Sequence, residues 1–371
     1  MLNVVDTDKI SFQNQLHKFP NGANMTGKVR LKGEQVRQFI MDKAEVAGAS
    51  LCHMVMEQFG ITRQAVNRHL AKLTEQGFIV PAGISGRSRI FKLAQLECQE
   101  FSYRIEPHLA EDLVWEQDIR SLIHNLPENV LRLWSYAFTE MFNNAIDHSG
   151  GSAIRVSVTK TAVTTAIRIA DNGVGIFKKI QAAMGLLDER HAIFELSKGK
   201  LTTDPRNHSG QGIFFTSRMC DRFSIASGEL LFQHVRGDGM DWLGEQKANT
   251  EGTTVLMELS NHTAQTTKKI FDEYSSGDDY GFTKTVVPVQ LAKYGSDELV
   301  SRSQAKRLLA RVELFRTVVF DFAGVEEVGQ AFADQIFRVF ATEHPEIDLI
   351  PIRMNHDVTD MVRRAVNQPR V

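Results

Sequence analysis

Apolar positions recur with different periods along the chain, and the changes of period divide it into three regions. The first region predicts three helices and two short strands, at 31–45, 49–60, 63–77, 78–83 and 88–93. The central region joins a long helical pattern, from Leu131 to Ala145, to the alternating β-branched stretches 154–159 and 163–170. In the last region strand and helix patterns alternate, which predicts an α/β layer.

The length supports the same division. A chain of 371 residues is too long for one hydrophobic core and fits two or three domains, so we expect a multidomain α/β protein. The expected boundaries are an N-terminal arm at 1–27, a mainly helical domain at 28–95, a connecting helical segment at 96–130, a central α/β domain at 131–260, a linker at 261–278 and a C-terminal α/β domain at 279–371.

Composition excludes several classes of protein. The apolar fraction of 42% and charged fraction of 24% are ordinary for a globular chain, and a net charge of −2 gives no overall attraction to nucleic acid or membrane. We see no apolar run of membrane-spanning length and no signal-peptide core, so no membrane partner is expected. The three cysteines are scattered without CxxC spacing, which favours a reducing, cytoplasmic location.

The long central helix carries two polar residues that suit a metal and phosphate site. Glu140 and Asn144 are four residues apart, so they lie one turn apart on the same face. An amide oxygen suits Mg²⁺, which keeps waters and phosphate oxygens as its other ligands, and a neighbouring carboxylate can orient or deprotonate a water. A solvent-facing pair on an amphipathic helix is the simpler interpretation of these two residues taken alone.

A second motif follows the strand predicted at 163–170. Asp171 stands at the strand end, where a carboxylate can accept a hydrogen bond from the exocyclic amine of adenine. Gly173 and Gly175 come next, and glycines let the backbone approach a ligand closely. A tight turn between a strand and a helix explains the same residues equally simply.

Two more short motifs complete the series. Gly210 and Gly212 open a helix predicted over about 213–220, and a glycine-rich turn at a helix N-terminus can bind phosphate. Thr253 precedes a strand at 255–259 and could place a hydroxyl near a nucleotide. Each of these, alone, also fits an ordinary turn.

In this order the four motifs resemble those of the GHKL superfamily of ATPases, which includes gyrase B, the catalytic domains of histidine kinases and the anti-sigma-factor kinases. The resemblance covers about residues 108–260 and implies a Bergerat-type α/β sandwich that binds ATP and Mg²⁺. The implied roles are Glu140 as general base where hydrolysis occurs, Asn144 as magnesium ligand, Asp171 as adenine reader, and Gly173, Gly175, Gly210, Gly212 and Thr253 as further nucleotide-binding residues.

The resemblance also implies a mobile lid, which would lie between Ile176 and Ser209. A long irregular stretch inside a compact domain is more often functional than idle. This one contains Lys198, Lys200 and Arg206. We include Lys200 among the nucleotide-binding candidates, with Lys198 as an alternative contact to the γ-phosphate. A solvated charged loop is the simpler interpretation of either lysine.

The N-terminal pattern of three helices and two strands resembles a winged helix-turn-helix. In that fold one helix enters the major groove, where Arg, Gln and Asn suit base edges, and the wing meets phosphate or the minor groove. Residues 28–92 hold 11 Lys/Arg against 5 Asp/Glu, a local net of +6 in a slightly acidic chain, so we expect double-stranded DNA as a partner. A winged helix used only for protein contacts is the alternative. The expected DNA contacts are Arg63, Gln64, Asn67, Arg68, Arg87 and Arg89.

The stretch 318–340 resembles the central strand, loop and helix of STAS-type domains, which include the anti-sigma-factor antagonists. In that family a Ser at the start of the helix accepts phosphate from a GHKL kinase, but Gly329, Gln330 and Ala331 occupy this turn here. The turn therefore lacks the phosphate-accepting hydroxyl of that family, and Ser301 most simply caps a helix. The resemblance implies a STAS-like α/β domain with a regulatory protein as its partner.

These features lead to one main hypothesis and two alternatives. The main hypothesis is an ATP-binding transcription regulator that hydrolyses ATP slowly, in which Mg-ATP favours one of two arrangements of the winged helix and STAS-like modules. The first alternative is a protein kinase, of the anti-sigma or histidine type. The second is a structural or defence-system module in which ATP stabilises a homodimer, with 108–126 as the candidate dimer helix.

Overall fold

The fold is given by a computed structural model, which describes residues 25–86, 88–201, 210–237, 241–275, 281–293 and 298–367. The described chain forms two compact units, divided between Leu93 and Ala94. Each unit has its own apolar core. None of the helices in the described ranges has the length and apolar content needed to cross a membrane.

The first unit contains the three helices and the hairpin that the sequence predicts. Its elements are α1 (Met25–Ala47), α2 (Leu51–Phe59), α3 (Arg63–Glu75) and the antiparallel strands β1 (Ile79–Ser85) and β2 (Ser88–Leu93). Helix α2 ends at Gly60, which has left-handed backbone angles, and Thr62 caps α3 by accepting a hydrogen bond from the Ala65 N–H. Of the arm expected at 1–27, residues 25–27 belong to α1 and the rest lie outside the described residues.

The second unit begins with a five-stranded sheet in which all neighbouring strands are antiparallel. Its strands, in the spatial order β3-β4-β5-β7-β6, are β3 (Glu97–Arg104), β4 (Ala153–Lys160), β5 (Thr164–Asp171), β7 (Asp241–Ser260) and β6 (Arg222–Val235). Strands β4 and β5 were predicted. The expectation that 96–130 is wholly helical is wrong, because its first part is the edge strand β3.

Seven helices, among the described residues, accompany this sheet along the chain. They are α4 (Glu111–Val114), which continues through a π-helical turn (Trp115–Ile119) into α5 (Arg120–Ile123), then α6 (Glu128–His148), α7 (Ile176–Met184), α8 (Glu189–Lys198), α9 (Gly212–Met219) and α10 (Thr267–Glu273). Helix α10 lies inside the stretch 261–278 that was expected to be a linker. It is capped by Thr266 and buries Ile270, so the described part of that stretch is packed structure.

Apolar packing fixes the direction of α6. This helix buries Trp134, Phe138 and Phe142, which share a core with inward residues of the sheet such as Val156 and Ile167. The rings of Phe138 and Phe142 stack with centroids 5.3 Å apart. Burying a side chain of this size contributes about 1.5–3 kcal/mol. Because this apolar stripe is buried in the core, the polar side chains of α6, including Glu140 and Asn144, lie on a different face of the helix.

The last part of the second unit is a smaller α/β layer. Its three parallel strands, in the order β10-β9-β8, are β8 (Lys284–Pro288), β9 (Thr317–Asp321) and β10 (Asp348–Ile352). Its helices are α11 (Arg302–Leu309), α12 (Gln330–Asp334), which a π-helical turn joins to α13 (Ala341–Glu343), and α14 (His356–Asn367). The predicted alternation of strands and helices is confirmed.

The two α/β layers of the second unit share one core. Phe214 and Phe215 of α9 meet Tyr274 and Phe282, and Phe282 in turn meets Phe315 before β9. The centroid distances are 4.9 Å for Phe214–Tyr274 and for Phe215–Phe282, and 5.2 Å for Phe282–Phe315. We call these five residues the aromatic cluster. It joins the five-stranded sheet domain to the smaller layer through close ring contacts.

Candidate functional site

A cavity of about 300 Å³ lies between α6, α7, α9, the end of β5 and the middle of β7. This volume is at the lower end of the range of about 300–1,000 Å³ that small-molecule sites occupy. Six of the predicted nucleotide residues line it: Glu140, Asn144, Asp171, Gly210, Gly212 and Thr253. They come from separate stretches of chain, and the fold brings them to one place.

Helix α6 supplies the polar pair. Glu140 and Asn144 are both half-buried and line the same cavity, as their four-residue spacing predicted. Tyr136 stands one turn before Glu140. Burial, together with the negative charge of Glu140, raises the pKa of the Tyr136 phenol above its usual value. The α6 side of the cavity therefore carries the carboxylate of Glu140 and two amides, those of Asn143 and Asn144, with a neutral phenol nearby.

Asp171 at the end of β5 is held by backbone hydrogen bonds. Its Oδ1 accepts from the N–H of Gly173 at 2.9 Å and from the N–H of Thr253 at 3.2 Å. Burial raises the pKa of the Asp171 carboxyl, and these hydrogen bonds partly oppose the rise. A carboxylate in such surroundings gains from any further hydrogen-bond donor that a ligand brings.

Thr253 joins three parts of the site. Besides its N–H bond to Asp171, its hydroxyl accepts a hydrogen bond from the N–H of Ile176 at 3.0 Å, at the start of α7. The hydroxyl therefore satisfies one of the open N–H groups at a helix start. Near it the sheet offers an apolar wall that suits the faces of a flat base, made of Ile169, Ile225 and Val255.

The glycine turn before α9 faces Glu140. At Gly212 a Cβ atom would overlap Oε2 of Glu140, so the carboxylate lies directly against the backbone where α9 begins. Gly210 lines the cavity as well, and its carbonyl accepts a hydrogen bond from the N–H of Leu201 at 3.1 Å. The start of α9 therefore points into the same space as the carboxylate, as a phosphate site at a helix N-terminus requires.

Gly173 and Gly175 do not line the cavity in this structure, but they form the turn that holds Asp171. A Cβ at Gly173 would overlap the carbonyl oxygen of Ser149, which already accepts a hydrogen bond from the Val174 N–H at 3.0 Å. A Cβ at Gly175 would come within 2.5 Å of the Ser227 hydroxyl oxygen. Their role is close backbone packing behind the cavity wall.

We predict different effects for alanine at Gly173 and at Gly212. Gly173→Ala should lower the free energy of unfolding of the second unit by about 1–3 kcal/mol, because backbone must move to admit the methyl group. Gly212→Ala should cost less, because the obstructing atom ends the flexible side chain of Glu140. Denaturant unfolding of both variants measures the difference. A Gly173→Ala protein as stable as the wild type would contradict this account of the turn.

The structure corrects the expectations for the predicted lid. The stretch between Ile176 and Ser209 is not mainly irregular, because it contains α7 and α8; residues 202–209, with Arg206, lie outside the described residues. Lys200 does not line the cavity. Its Nζ donates to the carbonyl oxygen of Leu314 at 2.7 Å, so its charge is directed to the smaller layer. Lys198 is buried and turned in the same direction.

Sequence reasoning missed two groups of polar residues. Lys179 lines the cavity, and its Nζ donates to the carbonyl oxygen of His148 at 2.6 Å; its place one turn into α7 could have indicated it. Elsewhere Arg218 forms a buried two-point contact with Asp241, which also bonds to His234. Burial would raise the pKa of Asp241, but the charge of Arg218 and these hydrogen bonds lower it overall. No sequence signal indicated this cluster.

The donor set of the cavity suits a nucleotide with magnesium. Glu140 and Asn144 offer a carboxylate and an amide oxygen on one helix face, and Mg²⁺ needs few protein oxygens beside water and phosphate. Lys179 adds a cation to the same cavity. Among the described residues no cluster of three or more His, Cys, Asp or Glu side chains could hold a metal alone.

In the first unit, the candidate DNA-binding residues of α3 lie on the exposed face of that helix. Helix α3 buries Val66, Leu70 and Leu73. Its solvent-exposed residues include all four predicted contacts on this helix, Arg63, Gln64, Asn67 and Arg68. Arg89 on β2 is exposed too, and Arg87 lies outside the described residues.

The charge around α3 is positive. The pKa of His69 on this helix is lowered by burial and by the neighbouring charges of Arg37, Arg68 and Lys72. Burial is the larger cause of this lowering, and the positive charges of Arg37, Arg68 and Lys72 add to it.

Comparison with protein families matched two parts of the second unit. The histidine kinase-like ATPase domain matches residues 114–231, a range that includes Glu140, Asn144, Asp171 and the glycines at 210 and 212 but ends before Thr253. The STAS-like domain of unknown function (DUF4325) matches residues 304–359, from within α11 into α14. No curated protein matched the chain. The chain thus contains a histidine kinase-like ATPase domain, whose matched segment carries most of the cavity residues, followed by a STAS-like domain.

Proposed function

We propose that the second unit binds Mg-ATP and hydrolyses it slowly, and that the bound nucleotide regulates DNA binding by the first unit. The observation that carries the nucleotide part is the convergence of Glu140, Asn144, Asp171 and Gly212 on one cavity inside a histidine kinase-like ATPase domain. Separate stretches of sequence supply the groups that a base, phosphates and a magnesium ion each need.

In this proposal each residue has a defined task. Both backbone hydrogen bonds to Asp171 end on Oδ1, so Oδ2 can accept one from the exocyclic amine of adenine. The open N–H groups at the start of α9 bind phosphate oxygens. Asn144 holds magnesium, which when bound neutralises phosphate charge. Glu140 accepts a proton from the water whose oxygen attacks the γ-phosphorus, while the bond from that phosphorus to the bridging oxygen breaks and ADP leaves.

Calorimetric titration of the full chain tests nucleotide binding directly. A nonhydrolysable ATP analogue should bind in the presence of Mg²⁺ and bind more weakly after Mg²⁺ is removed with a chelator. GTP is the matched control, because the oxygen on its C6 cannot donate a hydrogen bond to Asp171. Absence of heat and of thermal protection with the ATP analogue would refute the proposal.

The DNA part of the proposal rests on the exposed face of α3 and its positive surroundings. We predict that the double variant Arg63→Ala/Arg68→Ala binds double-stranded DNA about tenfold or more weakly, with a shallower dependence on salt, because each lost phosphate contact lowers the slope by about 0.9. Fluorescence anisotropy at several salt concentrations measures both quantities.

The matched control removes two exposed arginines from the second unit. Arg120→Ala/Arg132→Ala makes the same charge change at exposed surface ion pairs with Glu116 and Glu128. If both double variants bind DNA as the wild type does, α3 is not the DNA-binding helix and the protein-contact interpretation of the winged helix is favoured.

A protein kinase is the second candidate, because an ATPase domain and a STAS-like domain occur in one chain. The start of α12 offers no hydroxyl, since Gly329 is its N-cap and Gln330 and Ala331 follow. The Ser301 hydroxyl caps α11 by accepting from the Gln304 N–H at 3.1 Å. Kinase activity should therefore be tested with a phosphate acceptor on a separate protein. Incubation with γ-labelled ATP and candidate partners would give labelled protein for a kinase, and free phosphate alone for a switch.

A further inference from the structure

A short segment links the cavity to the STAS-like domain. Residues 198–201 run from the last residue of α8 toward the cavity, and we call them the linking segment. At its end Leu201 lines the cavity and bonds to Gly210, which lines it too. At its beginning Lys198 is only 1% exposed. The same four residues therefore touch the nucleotide cavity at one end and enter the protein interior at the other.

The interior end is an ion network between the two domains. Nζ of Lys198 donates to Oε1 of Glu195 at 2.7 Å and to the carbonyl oxygen of Ala310 at 2.7 Å. The other carboxylate oxygen of Glu195 accepts from Arg311 at 3.2 Å. Burial lowers the pKa of Lys198 to about 8, although the charge of Glu195 opposes this. The Lys198 ammonium is thus removed from water, and it is hydrogen-bonded instead to the Glu195 carboxylate and to a backbone carbonyl of the STAS-like domain.

Further hydrogen bonds also join the linking segment to the STAS-like domain. The hydroxyl of Thr285 on β8 donates to the carbonyl oxygen of Lys198 at 2.6 Å. The guanidinium of Arg311 donates to the carbonyl oxygen of Lys200, and Nζ of Lys200 donates to the carbonyl oxygen of Leu314 at 2.7 Å. Side chains and backbone of the segment are therefore bound by the STAS-like domain at several points.

The backbone itself shows that this contact is under constraint. Lys200 and Arg311 have φ angles of 52° and 63°, a left-handed conformation that is uncommon for residues other than glycine. Such conformations persist where the surroundings over-determine them. Two of the three non-glycine residues of this kind in the described chain thus meet at one hydrogen-bonded contact.

The opposite border of the cavity is anchored to the same domain. Helix α9 starts at Gly212 in the cavity, and two and three residues later Phe214 and Phe215 enter the aromatic cluster. Gly210 is thus flanked on one side by the linking segment and on the other by α9. One border of this wall therefore contacts the STAS-like domain directly, and the other reaches it through Phe282, which meets Phe315.

We propose that the STAS-like domain contributes to the nucleotide site. Through Arg311 and the linking segment it positions the wall formed by Leu201 and Gly210. The docking of this domain against the linking segment therefore sets the affinity of the site for nucleotide. This inference rests on the proposed ATP site. When the wall is already in place, no binding free energy is lost in ordering it. Docking of the STAS-like domain therefore raises the affinity of the site for nucleotide. By linkage, bound nucleotide must strengthen docking by the same factor.

The variant Arg311→Gln tests the proposal in the full chain. It removes the bonds to Glu195 and to Lys200 but leaves the buried Lys198–Glu195 pair charge-balanced, so the fold should persist. We expect the Kd for a nonhydrolysable ATP analogue with Mg²⁺ to rise about tenfold, within the usual range for coupled sites of about 5- to 150-fold.

The matched control is Arg338→Gln. Arg338 is partly exposed, as Arg311 is, and its ion pair with Asp334 lies within one helical run of the STAS-like domain. Its Kd should equal that of the wild type. If the wild type binds the analogue and Arg311→Gln binds it equally well, the coupling is refuted while the ATP site stands. If none of the three proteins binds it, both proposals fall.

A second measurement on the wild type decides the question without any variant. Hydrogen exchange of the backbone amides at 310–315 should slow when the ATP analogue is added, although these residues lie outside the cavity lining. A purely structural ion network would not respond to nucleotide. Unchanged exchange at saturating analogue would overturn the proposal.

Discussion

Replacing Glu140 with Gln should slow ATP hydrolysis about 10²- to 10⁴-fold, the usual contribution of a positioned general base, while ATP affinity stays close to the wild-type value. Gln has nearly the same shape, so the contact with Gly212 persists, but it cannot take a proton from water. Loss of rate without loss of binding is the signature of a group that acts only in the transition state.

Single-turnover release of phosphate and calorimetric binding should be measured on the same preparations. Glu128→Gln is the control, because Glu128 begins the same helix, is largely exposed and pairs only weakly with Arg132 at the surface. Hydrolysis at the wild-type rate by Glu140→Gln would show that another group activates the water, and Glu140 would then be a binding residue.

Asp171→Asn should weaken ATP binding about 100-fold or more. The amide oxygen of Asn can still accept the hydrogen bonds from Gly173 and Thr253, so the turn should survive. Its NH₂ group, however, would face the exocyclic amine of adenine, and two donors cannot pair. Loss of a hydrogen bond to a charged group costs about 1.5–3 kcal/mol, and an unpaired buried donor adds to it.

A change of nucleotide preference makes this prediction specific. Inosine triphosphate carries an oxygen acceptor at C6, so the side-chain amide introduced by Asp171→Asn can donate to it where the wild-type carboxylate cannot. We expect Asp171→Asn to bind inosine triphosphate better than the wild type does and ATP worse. Equal loss for both nucleotides, with normal thermal unfolding, would mean that Asp171 supports the turn without contacting the base.

The apolar pattern alone was enough to place the main helices and several strands. The stripe of α6 is long and regular, so its direction and its polar face could be predicted before the fold was known. Strand β3 was missed because it is an edge strand that exposes most of its side chains. Buried and more exposed residues alternate along β6, but the alternation shifts by one residue at Gly228. This shift breaks the periodic signal in the sequence.

The direction of a side chain at the site could be predicted where the local backbone determines it. Elsewhere the direction could not be predicted. Helix geometry predicted that Glu140 and Asn144 share one face, and the resemblance of the four motifs to GHKL ATPases predicted that this face and Asp171 belong to one site. Lys200 was misplaced because a lysine in a loop can turn either way, and the carbonyl of Leu314 that binds it is far along the chain. The contact of Gly212 with Glu140 is likewise a product of tertiary packing.

The aromatic cluster limits how this protein can be dissected. Cutting the chain between the two α/β domains would strip Phe214 and Phe215 of their covering rings and leave an exposed apolar patch on each fragment. Separately expressed pieces would then tend to aggregate, and swapping in a foreign C-terminal domain would require repacking those five rings together.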